Sequence, residues 1–452
     1  MRRRARGRTV ALSLARESGD MGGPTLVTRN LSMATDRRGA TEVLERARKR
    51  ERGRAAAAKR LLYVSILWML GQAPLRASQA MTFGQEACPP ADPAYIRAAN
   101  ETGGIPMFLL RSEAAKAFHI VRESTRNNVS TVFWATGDLD GKMQTMEIPV
   151  DSVTQRITFT FSVNTKGGKL VLKQPSGGVA TQGAPSTEIT DLNCGRIVTV
   201  ASPQPGNWRA EITGTGTFWL EAQAQSNIYF VTAQFVKEGG RPGHQGLFPI
   251  QGEPLAGRPA TLEASLSAPA TRTAEFHLVN ERGVTIEDVR MQPVNSDRTL
   301  PEFVGSLDLP TVPFRVAVMG RDSQGWQYQR FLPRLFHVES VEVSPELNFD
   351  ELSPASTKQA TFRVHNTGAP RTFRITVTDV RHFVTKVEPK ELSLDTDDSG
   401  IIHVDLMVPA ETPSGVGDNV VVVAASTGEA PTSNSCVVHL SVQSATSGQS
   451  PP

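Results

Sequence analysis

The sequence has few cysteines, and the three that it has lie far apart, at Cys88, Cys194 and Cys436. An odd number at such wide spacing excludes a dense disulfide framework and any zinc site of the Cys-x-x-Cys type. Cys194 stands in Asn-Cys-Gly, where we expect a loop and a structural or free thiol rather than a catalytic one. Cysteine usage does not decide the compartment.

Motifs for catalysis or metal binding are also missing. The eight histidines are scattered, and neither His-Glu-x-x-His nor Gly-x-Ser-x-Gly occurs. His119 is expected to be solvated or at a packed edge of a helix. Asp395–Gly400 matches the start of an EF-hand loop, but Leu406 stands where the bidentate glutamate is needed, so a hairpin turn is favoured. Asp138–Gly141 is predicted as another turn. We predict no enzyme, no cofactor and no bound metal.

The body of the chain lacks an excess of basic residues. Residues 1–60 carry 17 Lys+Arg and 6 Asp+Glu, whereas the remainder carries 31 basic and 39 acidic residues. Because the body is mildly acidic, it offers no broad basic surface, and nucleic acid is excluded as an expected partner. Residues 1–60 have no apolar periodicity and are predicted to be a disordered basic leader.

Long hydrophobic runs are absent as well. The longest, Leu61–Leu70, is too short to cross a hydrocarbon layer of about 30 Å, so no stable membrane span is predicted. Basic residues precede this run, and small residues follow it at Ser78 and Ala80. This pattern is typical of a signal peptide over residues 61–80, cleaved near Ala80. A short core helix or a misassigned start codon is the alternative.

Short strands are plentiful. From Ser130 onward apolar residues alternate with polar ones, most clearly in Arg156–Val163, and turn residues separate the strands. A Gly/Pro-rich linker is predicted at 237–246. The fold class is therefore mainly β. The predicted limits are 129–238 for a first β-sandwich, 247–340 for a second, 341–445 for a third, and 446–452 for a disordered tail.

Residues 83–128 have a different pattern. A short helix is predicted over Asp92–Asn100, a strand over Ile105–Leu110 and a helix over residues 112–126. The second helix has an apolar stripe that includes Ala114, Phe118 and Val121. Helices with such a stripe usually pack on a parallel sheet, which this chain does not supply.

Tryptophans occur on or beside the predicted strands, at Trp208, Trp219 and Trp326. Burial in the sandwich cores is favoured because tryptophan buries a large area. A row of exposed aromatic rings that binds carbohydrate is the alternative.

Several of these stretches resemble a known family. Asp92–Gly104, with its Tyr, Ala and Thr-Gly-Gly, and the residues that follow to Ser124 resemble the last strand and helix of a von Willebrand factor A domain. Ile148–Ser152, Pro205–Trp208 and Phe314–Arg330 are similar, in the same order, to the sandwiches of hemicentins. The resemblance is to the hemicentin-like von Willebrand factor A domain-containing family and covers residues 83–445.

The resemblance implies tandem immunoglobulin-like or fibronectin-like β-sandwiches, preceded at 83–128 by a small α/β remnant of a von Willebrand factor A domain. The metal site of that domain begins with Asp-x-Ser-x-Ser, which does not occur here, so no metal site is carried over. A truncated A domain is expected. The remnant should not fold alone, should either dock its stripe on the first sandwich or stay mobile, and should leave Cys88 as a free thiol.

The resemblance also implies a secreted, extracellular structural or interaction protein that binds protein partners through its stacked sandwiches. The alternative is an array of carbohydrate-binding modules at the cell surface or in the matrix. Asn100 and Asn128 begin N-glycosylation sequons, which are meaningful if the chain is exported.

Overall fold

The computed structural model describes residues 11–13 and 87–443, apart from residue 185 and residues 240–244, 268–270, 295–299, 347–350 and 427–430. The predicted signal peptide and tail lie outside the described residues, as does most of the leader. Ala11–Ser13 form a short strand, β1, so the prediction of disorder is wrong for these three residues. Among the described helices, none is long and apolar enough to span a membrane.

An α/β segment opens the main body. It contains helix α1 (Pro93–Thr102), strand β2 (Pro106–Phe108), a 3₁₀ helix (Arg111–Ala117) and helix α2 (Phe118–Ser124), and β2 pairs with β1. Helix α1 begins where the Asp92 carboxylate accepts a hydrogen bond from the Ala94 amide at 2.9 Å. It ends at Gly103, whose φ of 72° is the left-handed cap that glycine adopts readily.

The predicted single helix over residues 112–126 was wrong in its first half, which is 3₁₀. With three residues per turn instead of 3.6, that half does not continue the apolar stripe of the α-helix. Phe118 is 42% exposed, whereas Ile120 and Val121 are buried. The face that packs inward therefore contains Val121 of the predicted stripe but not Phe118.

The segment is docked on the first sandwich, one of the two predicted outcomes. Ile105, Met107 and Ile120 share a core with Trp134 and Trp219 of the sandwich. A disulfide joins Cys88 to Cys194 with 5.9 Å between the Cα atoms. The predicted free thiol at Cys88 was therefore wrong, because its partner lies 106 residues away within the sandwich rather than in an A domain.

The first sandwich contains strands of two facing sheets. They are β3 (Val129–Asp140), β4 (Gln144–Val150), β5 (Arg156–Val163), β6 (Lys169–Lys173), β7 (Thr187–Leu192), β8 (Gly195–Ala201), β9 (Gly206–Thr213) and β10 (Thr215–Gln225). The order β3-β10-β5-β8-β7 faces the order β4-β9-β6. Asp138 and Asp140 lie within β3, so the turn predicted there begins only at Gly141.

The second sandwich follows directly. Its strands are β11 (Tyr229–Gly239), β12 (Gly246–Pro249), β13 (Ala260–Ser267), β14 (Thr271–Val279), β15 (Thr285–Val289), β16 (Gln292–Pro293), β17 (Glu302–Leu307), β18 (Arg315–Asp322) and β19 (Gln327–Phe331). Strand β11 was predicted to belong to the first sandwich. That was wrong, because it pairs with β13, placing Phe235 opposite Leu262. Lys237–Gly239 and Gly246, at the two ends of the predicted linker, are paired residues of β11 and β12.

The first two sandwiches share a sheet. Within the described parts of the chain its order is β15-β14-β18-β19-β3-β10-β5-β8-β7, joined where Phe331 pairs with Thr131. The two sandwiches are therefore not structurally independent domains.

The third sandwich has two sheets of its own. Its strands are β20 (Val341–Pro345), β21 (Glu351–Leu352), β22 (Thr357–Asn366), β23 (Arg371–Asp379), β24 (Val384–Glu388), β25 (Glu391–Leu394), β26 (Ser399–Met407), β27 (Gly417–Ser426) and β28 (Ser433–Val442). The order β20-β22-β26-β24 faces β21-β28-β27-β23-β25. Asp395–Gly400 was predicted as a hairpin turn, which was wrong because it leads from β25 in one sheet to β26 in the other.

Candidate interaction groove

A buried ion pair fixes the joint between the first two sandwiches. The Arg330 guanidinium lies 2.6 Å from the Asp151 carboxylate, and both side chains are fully buried. Arg330 also donates to the Ile228 carbonyl at 2.6 Å and to the Ser226 hydroxyl at 2.8 Å. The second oxygen of Asp151 accepts from the Thr154 hydroxyl at 3.0 Å. A buried charge pair is tolerated only when its remaining hydrogen-bonding groups are satisfied, as they are here.

Asp322 strengthens the same joint. Its carboxylate accepts hydrogen bonds from the amide and hydroxyl of Ser152 at 2.8 and 2.6 Å. It also accepts from the Trp326 amide at 2.9 Å, which fixes the turn between β18 and β19. Burial alone would raise the pKa of Asp322, but these hydrogen bonds outweigh it and hold the pKa below its ordinary value. Asp322 is therefore charged at neutral pH.

The α/β segment contacts both sandwiches. Arg315 of β18 is stacked on the Trp134 ring at 3.8 Å and donates to the Asn100 carbonyl at 2.7 Å. Burial lowers the pKa of Arg315 to about 10. His337 lies 2.7 Å from Glu101, and this hydrogen bond raises the pKa of His337. The segment is thus bonded to residues of the second sandwich as well as packed on the first.

An open groove of about 530 Å³ lies at this joint, between the outer face of β14, β18 and β19 and the edge of β4 and β9. We call it the interdomain groove. Its polar lining includes Glu147, Asn207, Glu275, His277, Arg321 and Gln327.

Three of these groups have local partners that hold them in place. His277 lies 2.8 Å from Asp288, and Arg321 donates to the Gly325 carbonyl at 2.8 Å. The Glu147 carboxylate is 3.8 Å from the Arg209 guanidinium. Charges of both signs on rigid strands suit recognition of a polar protein surface better than of an apolar small molecule.

Trp326 lies beside the groove and is 43% exposed, so the prediction that it is core was wrong. A Cβ atom on Gly206 would come within 3.6 Å of the Trp326 ring and within 3.0 Å of Pro175, so glycine leaves room here. Trp208 is buried in the core of the first sandwich, as predicted, whereas Trp219 is buried against the docked α/β segment. Two of the three rings are therefore unavailable for a carbohydrate platform.

The two sequons differ in exposure. Asn128 is exposed just before β3. Asn100 is half-buried in α1, and its side-chain oxygen accepts a hydrogen bond from the Trp219 indole at 2.9 Å. His119, in contrast to its predicted place, is buried between α2 and the sheet and contacts the hydroxyls of Thr190 and Thr199 at 2.8 and 3.0 Å.

Neither the groove nor the Asp151–Arg330 pair was predicted from the sequence. Asp151 stands in the Ile148–Ser152 stretch and Arg330 at the end of Phe314–Arg330, both of which carried the family resemblance. Nothing local in either stretch indicated that the two would meet. In the described part of the chain, no group of three or more His, Cys, Asp or Glu side chains is arranged to hold a metal ion.

Two family models match regions of the chain. Residues 131–227 match the hemicentin galactose-binding domain-like family, and residues 343–444 match the VWA7 Ig-like domain. The chain is related to the hemicentin-like von Willebrand factor A domain-containing proteins. The first match ends at residue 227, just before β11. Neither description names a catalytic activity.

A curated relative agrees with this assignment. Von Willebrand factor A domain-containing protein 7 from Rattus norvegicus is 26% identical over 245 residues, which is 49% of this chain and 26% of that protein. The chain therefore matches about a quarter of the length of this relative.

Similar solved structures are distant. They include Bacillus licheniformis lipase BlEst2 in propeptide form (13% identity, 45% of this chain, 40% of that chain, TM-score 0.23). They also include the mouse nectin-like molecule 4 ectodomain (8% identity, 69% of this chain, 98% of that chain, TM-score 0.16). At such TM-scores neither likeness supports a conclusion about this chain.

Proposed function

We propose that the chain is a secreted extracellular protein that binds protein partners through the interdomain groove and catalyses no reaction. The observation that carries this proposal is the rigid joint between the hemicentin-like and second sandwiches, which holds an open polar groove beside an exposed tryptophan. Tryptophan and arginine are enriched among residues that dominate binding energy at protein interfaces, and Trp326 and Arg321 are both present here.

Export is supported by the disulfide between Cys88 and Cys194, since such bonds persist mainly in oxidising compartments. We infer a signal peptide over residues 61–80 with cleavage near Ala80; this cleavage would also remove β1. We also propose that residues 83–128 are related to a von Willebrand factor A domain.

Glycans are proposed on both sequons, with Asn128 as the main site. Asn128 is exposed, so an oligosaccharide there meets no packed side chain. Asn100 is expected at lower occupancy, because its carboxamide is bonded to Trp219 within the docked segment.

Carbohydrate binding is the second candidate, favoured by the name of the galactose-binding-like family and by the exposed ring of Trp326. A sugar platform normally uses a row of coplanar exposed rings, whereas among the tryptophans that the structure describes only Trp326 is exposed.

The test uses the purified secreted protein and extracellular matrix deposited by cultured cells. We expect saturable binding that protease treatment of the matrix abolishes and that galactose does not compete. The variant Trp326→Ala with Glu275→Lys should bind at least about tenfold more weakly, because an interface anchor and a groove charge are changed. Glu391→Lys, an exposed charge reversal in the third sandwich, is the matched control and should bind normally.

Absence of saturable binding, or equal binding by the groove variant, would contradict the proposal. Competition by galactose together with resistance to protease would favour the carbohydrate alternative.

A further inference from the structure

One outward face of the third sandwich is built from small apolar and hydroxyl side chains. In β27, Val420 and Val422 lie in the core, so Val421 and Val423 point away from it. Val421 pairs with Val437 of β28, which also points outward. We call the surface around these side chains the valine face. It consists of Thr376, Thr378, Val421, Val423, Ala425, Ser435 and Val437.

The charged groups of this sheet lie at the rim of the valine face. Along β27 and β28, both described in full, the outward positions hold no lysine, arginine, aspartate or glutamate. Arg374 and Glu391 lie 3.8 Å apart at one corner, and His439 lies at the opposite end, beside Asn419. The other sheet of this sandwich carries the exposed side chains of Arg363 and Lys386 on its outward face. The two outward faces therefore differ in charge.

The β28 edge of the same sheet is covered by the second sandwich. The Glu253 amide donates to the Asn434 side-chain oxygen at 2.8 Å, and the Asn434 side-chain nitrogen donates to the Glu253 carbonyl at 3.0 Å. The Gln251 side-chain oxygen accepts from the Val437 amide at 3.5 Å. A partner strand therefore cannot extend the sheet at this edge, and an incoming protein would meet the valine face instead.

We propose that two copies of this chain associate through their valine faces about a two-fold axis. In such an interface the same surface meets itself, so a face without charge brings no like charges together. Residues 61–452 carry 31 basic and 39 acidic residues, and two copies therefore repel each other weakly elsewhere. The valine face is the part of this sandwich where they approach with the least repulsion.

The size of the valine face sets the strength of the dimer. Strands β23, β27 and β28 have nine or ten residues each. With strands about 4.8 Å apart and a rise of about 3.3 Å per residue, they present roughly 500 Å². Two copies bury about 1,000 Å², which is the lower limit for a specific interface. We therefore expect a weak dimer with a Kd on the order of 10⁻⁵ M.

The experiment is sedimentation velocity of the purified full chain between about 1 and 100 µM, a range that brackets this Kd. We expect the average mass to rise towards twice that of the monomer. High salt should leave the association unchanged or strengthen it, because it rests on apolar contacts and not on ion pairs.

Two variants place a charge in the valine face. Val421→Lys should weaken association by at least about tenfold, because the ammonium group loses water and gains no partner. Thr376→Lys should have the same effect, and its position is exposed, so the change does not disturb the core. Ile401→Lys is the matched control, since Ile401 is 37% exposed on the outward face of the opposite sheet. It should dimerise like the wild type, and thermal unfolding checks that every variant is folded.

A wild type that stays monomeric over the whole range would overturn the proposal. So would equal association of the wild type and both valine-face variants, or loss of association in Ile401→Lys. If the wild type is monomeric and the valine-face variants lose binding to deposited matrix, the face takes another protein and not a second copy. The inference does not depend on the proposed function, because sedimentation uses the purified chain alone and the interdomain groove is a different surface.

Discussion

Replacing Arg330 by methionine is expected to lower the free energy of unfolding by about 3–5 kcal/mol, because the substitution leaves the Asp151 carboxylate buried without a counter-charge. It also removes the donors that reach the Ile228 carbonyl and the Ser226 hydroxyl. Chemical denaturation followed by intrinsic fluorescence measures the change. We expect the loss in the transition of the first two sandwiches, since the pair joins them.

Two further variants test whether the unpaired buried charge is the reason for the lost stability. Arg374→Met removes one partner of an exposed pair separated by 3.8 Å and should change stability by no more than about 1 kcal/mol. Adding Asp151→Leu to Arg330→Met should restore part of the loss, because no unpaired buried charge remains. A loss below about 1 kcal/mol for Arg330→Met alone would show that the joint does not depend on this pair.

Replacing Cys194 by serine is expected to lower the free energy of unfolding by about 2–4 kcal/mol. The disulfide closes a loop across 106 residues, so its removal enlarges the ensemble of unfolded chains. In the folded state we expect faster hydrogen exchange in residues 88–124, because the segment then depends only on its apolar contacts and hydrogen bonds. Exchange mass spectrometry with and without reductant measures both states.

The controls use the sensitivity of the Cys88–Cys194 disulfide to reductant. Reductant should make the wild type resemble Cys194→Ser and should leave Cys194→Ser unchanged. Cys436→Ala changes a buried thiol that is in no disulfide and should retain the protection of residues 88–124. Equal exchange in the wild type and Cys194→Ser would mean that the bond does not hold the segment.

The sequence predicted those features of the fold that depend on local hydrophobic periodicity. The alternation in Arg156–Val163 predicted the inward face of β5, with Ile157, Phe159 and Phe161 all buried. It did not predict that Thr158 and Thr160 are buried as well, because the other face of that strand is covered by the docked α/β segment. A period of two reports one buried face and contains no information about what covers the second.

Features that depend on distant residues were not predictable. The sequence of strand β11 resembles those of the strands before it. Only its pairing with β13 assigns it to the second sandwich. Tryptophan is a residue type that is usually buried, but Trp326 lies in the turn that Asp322 fixes. The groove itself brings Glu147, Asn207 and Glu275 together from separate strands, and no spacing in the sequence indicates such a meeting.

One peptide map tests most directly whether the chain is an exported, disulfide-bonded protein. The full chain is expressed in secretory cells, and protein recovered from the medium is digested without reduction and analysed by mass spectrometry. We expect a mature N-terminus near Ala80, a cross-linked peptide joining Cys88 to Cys194, and a glycan on Asn128. A chain that stays in the cytosol, with both thiols free and Asn128 unmodified, would contradict the account.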